Sequence, residues 1–274
     1  MQLILEMLSY PFLVRAAVVG LLVSLCAALL GVSLVLKRYA MIGDGLSHVG
    51  FGALAIAMAM NAAPLAVAIP IVVLAAFFLL RISENSKIKG DAAIALISTS
   101  ALAIGVIVIS YTTGMNTDVY NYMFGSILAM SDSDVALSVA LSAVVLLLFF
   151  LFYHKIFALT FDETFAQATG TKTNLYKILI AFLPAITIVL GMRMIGTLLI
   201  TSLIIFPTLT SMRVCKRFRS VTLCSALLSV ICFLSGLVFS YLYAAPTGAS
   251  IVVANILAFL LFSAAGALLG RRKA

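Results

Sequence analysis

The chain has 274 residues, of which 64% are hydrophobic and 9% charged, with no tryptophan and a formal net charge of +8. So few charges cannot cover a water-soluble domain, and the composition is that of a polytopic membrane protein. The basic excess does not mark a nucleic-acid binder, because Lys and Arg fall in short clusters between apolar runs, where they act as topology signals.

At about 20 apolar residues per crossing, the length accommodates about eight to ten spans and no folded extramembrane domain, so residues 1–274 read as one all-α transmembrane domain. The start, MQLILEMLSYPFLVRAAVVG, has no basic n-region and no small-residue cleavage site, which predicts no cleaved signal. The first apolar run covers 13–36 and stops at Lys37 and Arg38; the second covers 40–60 and ends at the turn-like Asn61 to Pro64. A third run, 64–81, is followed by a basic stretch to Gly90, and Asp91 stands where an N-cap carboxylate would open the fourth run, 91–112. Residues 112–134 carry only acidic charges, Asp118, Asp132 and Asp134, with Val119 to Leu128 as a short interfacial or re-entrant helix.

The fifth run is 134–153. His154 to Lys177 reads as a charged loop holding a short surface helix that starts near Asp162. A sixth run, 178–191, is short and contains Pro184; a seventh, 194–212, is interrupted by Pro207, and neither predicts a simple straight span. After the basic cluster MRVCKRFRS come runs at 220–243 and 248–269, joined by the uncharged AAPTGA.

Putting the basic loops and the C-terminus on one side collects 15 of the 17 Lys and Arg residues, leaving Arg15 and Arg193. This positive-inside solution has about nine crossings (eight if one element near Arg193 is a re-entrant hairpin), the N-terminus outside and the C-terminus in the cytoplasm.

Within the second run, KRYAMIGDGLSHVGFG places Asp44 and His48 four residues apart. On a helix that spacing stacks the two side chains on one face, close enough to share one cation. An ionised Asp deep in a bilayer costs roughly 2.5–3.5 kcal/mol on insertion scales, so it should face a partner, a cavity or an ion. The alternative is a satisfied pair that fixes helix packing. An oxygen and nitrogen donor pair suits a borderline divalent metal, zinc, manganese or iron, and two chains meeting on a two-fold axis would supply four ligands.

Gly43, Gly45, Gly50 and Gly52 around the pair predict close helix approach. Cys26, Cys215, Cys224 and Cys232 lack metal-ligand spacing and read as small core residues. Tyr111, Tyr120, Tyr122, Tyr241 and Tyr243 read as an interfacial belt, Gly266 and Gly270 as a GxxxG packing face or dimer seam, and Asn255 as interhelical hydrogen-bonding glue.

No GxxxxGK[ST], HExxH or GxSxG motif occurs, so nucleotide hydrolysis, zinc proteolysis and serine hydrolysis find no machinery here. An intramembrane metal enzyme would need more catalytic groups than one acid and one histidine.

The segments LLGVSLVLKRYAMIGDGLSHVGFGALA, KGDAAIALISTSALAIGV, YMFGSILAMSDSD, FDETFAQATG, IGTLLITSLIIFPTLTSM and SYLYAAPTGASIVV span nearly the whole chain. In this order they resemble the membrane permease of the bacterial ABC importers for zinc, manganese or iron. The resemblance implies a type II importer fold in the bacterial cell membrane, a homodimer, two cytoplasmic ATPase subunits, and an extracellular or periplasmic metal-binding protein. It implies no permanently bound cofactor, only the transported ion.

Asp44 and His48 fall on the family's GDxLSH motif and would contact the metal. Pro207 to Ser220 would dock the ATPase, with Pro207, Thr208, Ser211, Met212, Arg213, Lys216 and Arg217 as contacts. Phe206-Pro207-Thr208 stands where many relatives carry a Pro-Ala-Ala-like run. A proton-coupled secondary carrier, with Asp44 as the proton-linked group, is the rival reading.

Overall fold

The computed structural model describes residues 9–85, 90–112 and 131–271. All regular structure among them is helical: α1 (Pro11–Leu36), α2 (Ile42–Ala59), α3 (Pro64–Asn85), α4 (Gly90–Thr112), α5 (Asp132–Leu151), α6 (Tyr153–Phe161), α7 (Glu163–Ala168), α8 (Thr173–Ile195), α9 (Thr197–Met212), α10 (Phe218–Tyr243) and α11 (Thr247–Arg271). Seven are long and apolar enough to cross a membrane, and Pro64–Leu79 and Leu199–Met212 are shorter apolar helices, so the described residues supply nine membrane-type helices. Helices are the expected answer to this composition, because hydrocarbon offers no partner to an unpaired backbone amide.

Two helices form the centre. α1 packs against α5, α8, α9 and α10, while α2 packs against α3, α4, α8 and α9. The α2 and α4 backbones nearly touch where they cross: a Cβ on Gly52 would lie 2.6 Å from the Ala101 carbonyl oxygen, and one on Gly105 would lie 2.9 Å from the Gly52 Cα. α11 lies outermost, against α9 and α10.

The ends of the bundle sort by charge. Arg15, at the start of α1, pairs with Asp132 at the start of α5. At the opposite end Val32, Phe218 and Val221 cluster with Leu36, Tyr153, Met212 and Cys215, which gathers the ends of α1 and α9 with the starts of α6 and α10. Glu163 pairs there with Lys177, and its other carboxylate oxygen is 4.0 Å from the Lys37 ammonium. Asp162 caps α7 as the sequence predicts, accepting from the Phe165 amide at 2.9 Å and the Thr164 hydroxyl at 2.6 Å. The amide bond, ahead of the hydroxyl, holds its carboxyl below the usual carboxylate range.

Several expectations change. The sixth run is not short: α8 begins at Thr173, inside the expected loop, and carries Pro184 through 23 residues. Its full length, ~35 Å, suffices to cross. α8 and α9 are separated by Gly196 alone, at φ 88, a conformation glycine adopts without a Cβ clash. α9 has 16 residues, ~24 Å, and is the short member of the pair beside Arg193. α4 starts at Gly90, so Asp91 sits in the first turn and is not the N-cap. The stretch after Leu151 contains a helix, α6, that sequence reading merges into a run and a loop. Val119 to Leu128, Asp118, Tyr120 and Tyr122 lie outside the described residues.

The Gly52 crossing predicts an order of severity. Gly52→Ala drives a methyl group against the Ala101 backbone and should cost about 1–3 kcal/mol. Gly45→Ala meets only the Ile94 side chain and should cost less. Thermal midpoints of the detergent-purified variants check the order.

Candidate functional site

α2 is buried along nearly its whole length. Of its 18 residues only Asp44, His48, Ile56, Met58 and Ala59 are not buried, and the last three lie in its final turn. Asp44 and His48 therefore form the single open strip in the body of the most enclosed helix. Their side chains are 44% and 26% exposed.

The local sequence explains the strip. Gly43, Gly45, Gly50 and Gly52 let neighbours close over the other faces: a Cβ would meet Ile204 at 3.1 Å from Gly43, Ile94 at 2.5 Å from Gly45, and the Met192 sulfur at 2.3 Å from Gly50. Leu46 and Leu54, both 0% exposed, fill the core side. The Ser47 hydroxyl donates to the Asp44 carbonyl at 2.7 Å and so presents no competing donor at the strip.

Asp44 Oδ2 and His48 Nε2 are 3.7 Å apart. Metal–ligand bonds of about 2.0–2.2 Å at angles of 90–110° put two donors roughly 3.0–3.5 Å apart, so the pair needs a closure of a few tenths of an ångström to bind one ion. No group of three or more His, Cys, Asp or Glu side chains gathers among the described residues. Two donors with an open side fill only part of a metal ion's coordination shell. Asp44 lies in the first turn of α2, so the positive end of the helix offsets part of the cost of its charge.

The segment assigned to ATPase docking divides in two. Pro207, Thr208 and Ser211 are buried inside α9, with the Thr208 hydroxyl bonded to the Ile204 carbonyl and the Ser211 hydroxyl to the Thr208 carbonyl. Met212 ends the helix against the apolar cluster at the start of α10. Arg213, Lys216 and Arg217 are exposed beyond it. The Arg213 guanidinium lies 5.2 Å from the Phe259 ring centre, and its carbonyl oxygen is 2.9 Å from where a Cβ on Gly266 would stand. Gly266 thus serves packing within the chain.

Asn255 bonds its own helix, Nδ2 to the Ile251 carbonyl at 2.9 Å, and not a neighbour. Cys26 and Cys232 are buried core residues, and Cys215 and Cys224 are partly exposed. Of the expected belt, Tyr111 and Tyr243 are exposed, whereas Tyr241 is partly buried against the apolar core. The residue the sequence did not single out is Glu163, because its basic partners, Lys37 and Lys177, are distant from it in the chain and only the fold brings them together.

The profile of the ABC 3 transport family matches residues 9–266. The chain is 31% identical over 258 residues to the manganese transport system membrane protein MntC of Halalkalibacterium halodurans, covering 94% of this chain and 88% of that one. It is 27% identical to the high-affinity zinc uptake system membrane protein ZnuB of Haemophilus influenzae, over 92% of this chain and 97% of that one. Among solved structures, PsaBC from Streptococcus pneumoniae in complex with Fab superposes with a TM-score of 0.85 at 30% identity, covering 95% of this chain and 94% of that one.

The open strip predicts an accessibility pattern. In a cysteine-free background, Asp44→Cys and His48→Cys should react with a water-soluble thiol reagent, and Leu46→Cys should not. Equal labelling at all three positions would contradict an open strip on a buried helix.

Proposed function

The chain belongs to the ABC 3 transport family, and on that footing we propose that it is the permease of an ATP-driven importer of a divalent transition metal, manganese or zinc. Relatives named for manganese and for zinc transport support the substrate class, and both ions are compatible with one carboxylate and one imidazole. The observation that carries the site assignment is the Asp44–His48 strip, the one polar opening in the body of α2.

In this reading an external binding protein delivers the ion to the outer mouth of a permease homodimer. Asp44 and His48 of each copy replace part of its hydration shell, four donors from two chains. Rocking of the dimer, driven by separate ATPase subunits on the basic face, then opens the path inward. The basic segments lie at one end of the bundle, which the positive-inside rule assigns to the cytoplasm together with the C-terminus. Arg213, Lys216 and Arg217 are the exposed part of the α9–α10 connection and the groups we assign to ATPase contact. Neither the family nor the named relatives favour the proton-coupled carrier.

Uptake of radioactive manganese and zinc into metal-starved cells tests the site. Asp44→Asn and His48→Ala should each lower uptake of one ion by at least about tenfold, at or beyond the effect of removing a ligand's supporting partner. Membrane abundance should stay normal. Wild-type uptake in both variants would remove the pair from the pathway. For the docking face, Arg217→Glu should reduce copurification of the ATPase subunit while leaving the abundance of the permease unchanged.

A further inference from the structure

α5 and α10 both pack on α1 but scarcely on each other, so α1 floors an open slot between them. The slot encloses a cavity of about 450 Å³, within the usual size range of a small-molecule site. Its floor is Leu25 and Leu29 of α1, one turn apart, and its walls are Phe150 of α5 and Leu223 of α10. Phe150 and Leu223 are 62% and 59% exposed, as side chains that meet lipid tails are.

One end of the slot is polar. His154, at the start of α6, and Arg219, at the start of α10, line it there, and both are exposed. Among the described residues neither has a carboxylate partner. That end is the basic end of the bundle, where Phe218 packs against Tyr153 and Phe157 with ring centres 5.6 and 5.0 Å apart. Arg219 and Ala226 line the slot seven residues apart on one face of α10, so the groove runs about 10 Å down from the cationic rim into the apolar zone.

We infer that this groove binds an anionic glycerophospholipid, the phosphate held by Arg219 and His154 and an acyl chain laid between α5 and α10 on Leu25 and Leu29. Charge and depth select this occupant. Basic pockets between membrane helices on the cytoplasmic side suit acidic headgroups. An extended peptide lying in the same slot would expose unpaired amides to hydrocarbon, and a free phosphate would leave the apolar two turns without purpose. Bound lipid would wedge α10 against α1 next to the exposed α9–α10 connection, which makes this site a place where membrane composition reaches the ATPase-facing end.

The test uses the assembled transporter, delipidated in detergent and offered equal amounts of phosphatidylglycerol and phosphatidylcholine with identical chains, with bound lipid counted by native mass spectrometry. The wild type should retain phosphatidylglycerol about fivefold over phosphatidylcholine, the worth of one basic residue at an anionic headgroup. Arg219→Gln should bring that ratio close to one, Arg219→Lys should keep it, and Lys172→Gln, an exposed charge at the same end, should not change it. Ala226→Phe fills the slot and should reduce retention of both lipids, which keeps the inference testable if Arg219→Gln does not fold. Equal retention of the two lipids by the wild type would overturn the proposal. So would glycerol phosphate binding as tightly as the whole lipid, or loss of the ATPase from the Arg219→Gln complex with an unchanged lipid ratio.

Discussion

The close approach of α2 and α4 at Gly52 and Gly105 is the constraint on which the rest of the bundle depends. With no hydrophobic drive between helices in lipid, association rests on packing and on short backbone distances, and glycine permits both. At this crossing a methyl group on either glycine would meet backbone, which cannot rotate away. The same helix carries three further glycines that admit Ile204, Ile94 and Met192 to its surface. Enclosing α2 on those faces is what leaves Asp44 and His48 as an opening.

A carboxylate so placed has two sources of relief that do not require a bound ion. It stands in the first turn of α2, where the helix N-terminus favours negative charge, and its side chain remains partly exposed. The pair is thus poised rather than locked: 3.7 Å is too long for a firm hydrogen bond between Oδ2 and Nε2, and slightly too long for two ligands of one metal. Because both groups stand on one helix, side-chain rotation sets whether both donors could reach one ion. Such adjustability is compatible with the proposed transport role, in which affinity must change during the cycle.

The basic end of the protein is built differently, from aromatic and ionic joints. α6 rests its rings on Phe218, Glu163 reaches Lys177 and Lys37, and Arg213 covers Phe259. Glu163 is partly exposed and each ion pair by itself contributes little. Their arrangement nevertheless ties the ends of α1, α8, α9 and α10 to one surface. α9 also places Ile204 against Gly43, so one helix touches both the basic end and the start of α2.

Much of this was legible in the chain itself. Apolar runs of about 20 residues and their basic boundaries determined a polytopic helical protein with about nine crossings. The four-residue spacing of Asp44 and His48 determined that they share a helix face, and Asp162 announced the start of α7, because periodicity and capping are local properties. What local pattern could not decide was how those runs terminate and pair. Pro184 looked like a break, yet α8 runs through it from Thr173, with neighbouring helices packed around it. Pro207 looked like an interruption, and Thr208 and Ser211 like docking contacts, yet all three are buried at the end of α9. Only the tertiary structure made the Asp44–His48 face the open one, since which face of an all-apolar helix is covered depends on neighbours far away in sequence. The slot between α5 and α10 arises the same way: Phe150, Arg219 and Leu29 become neighbours only because α1 packs against both helices at once.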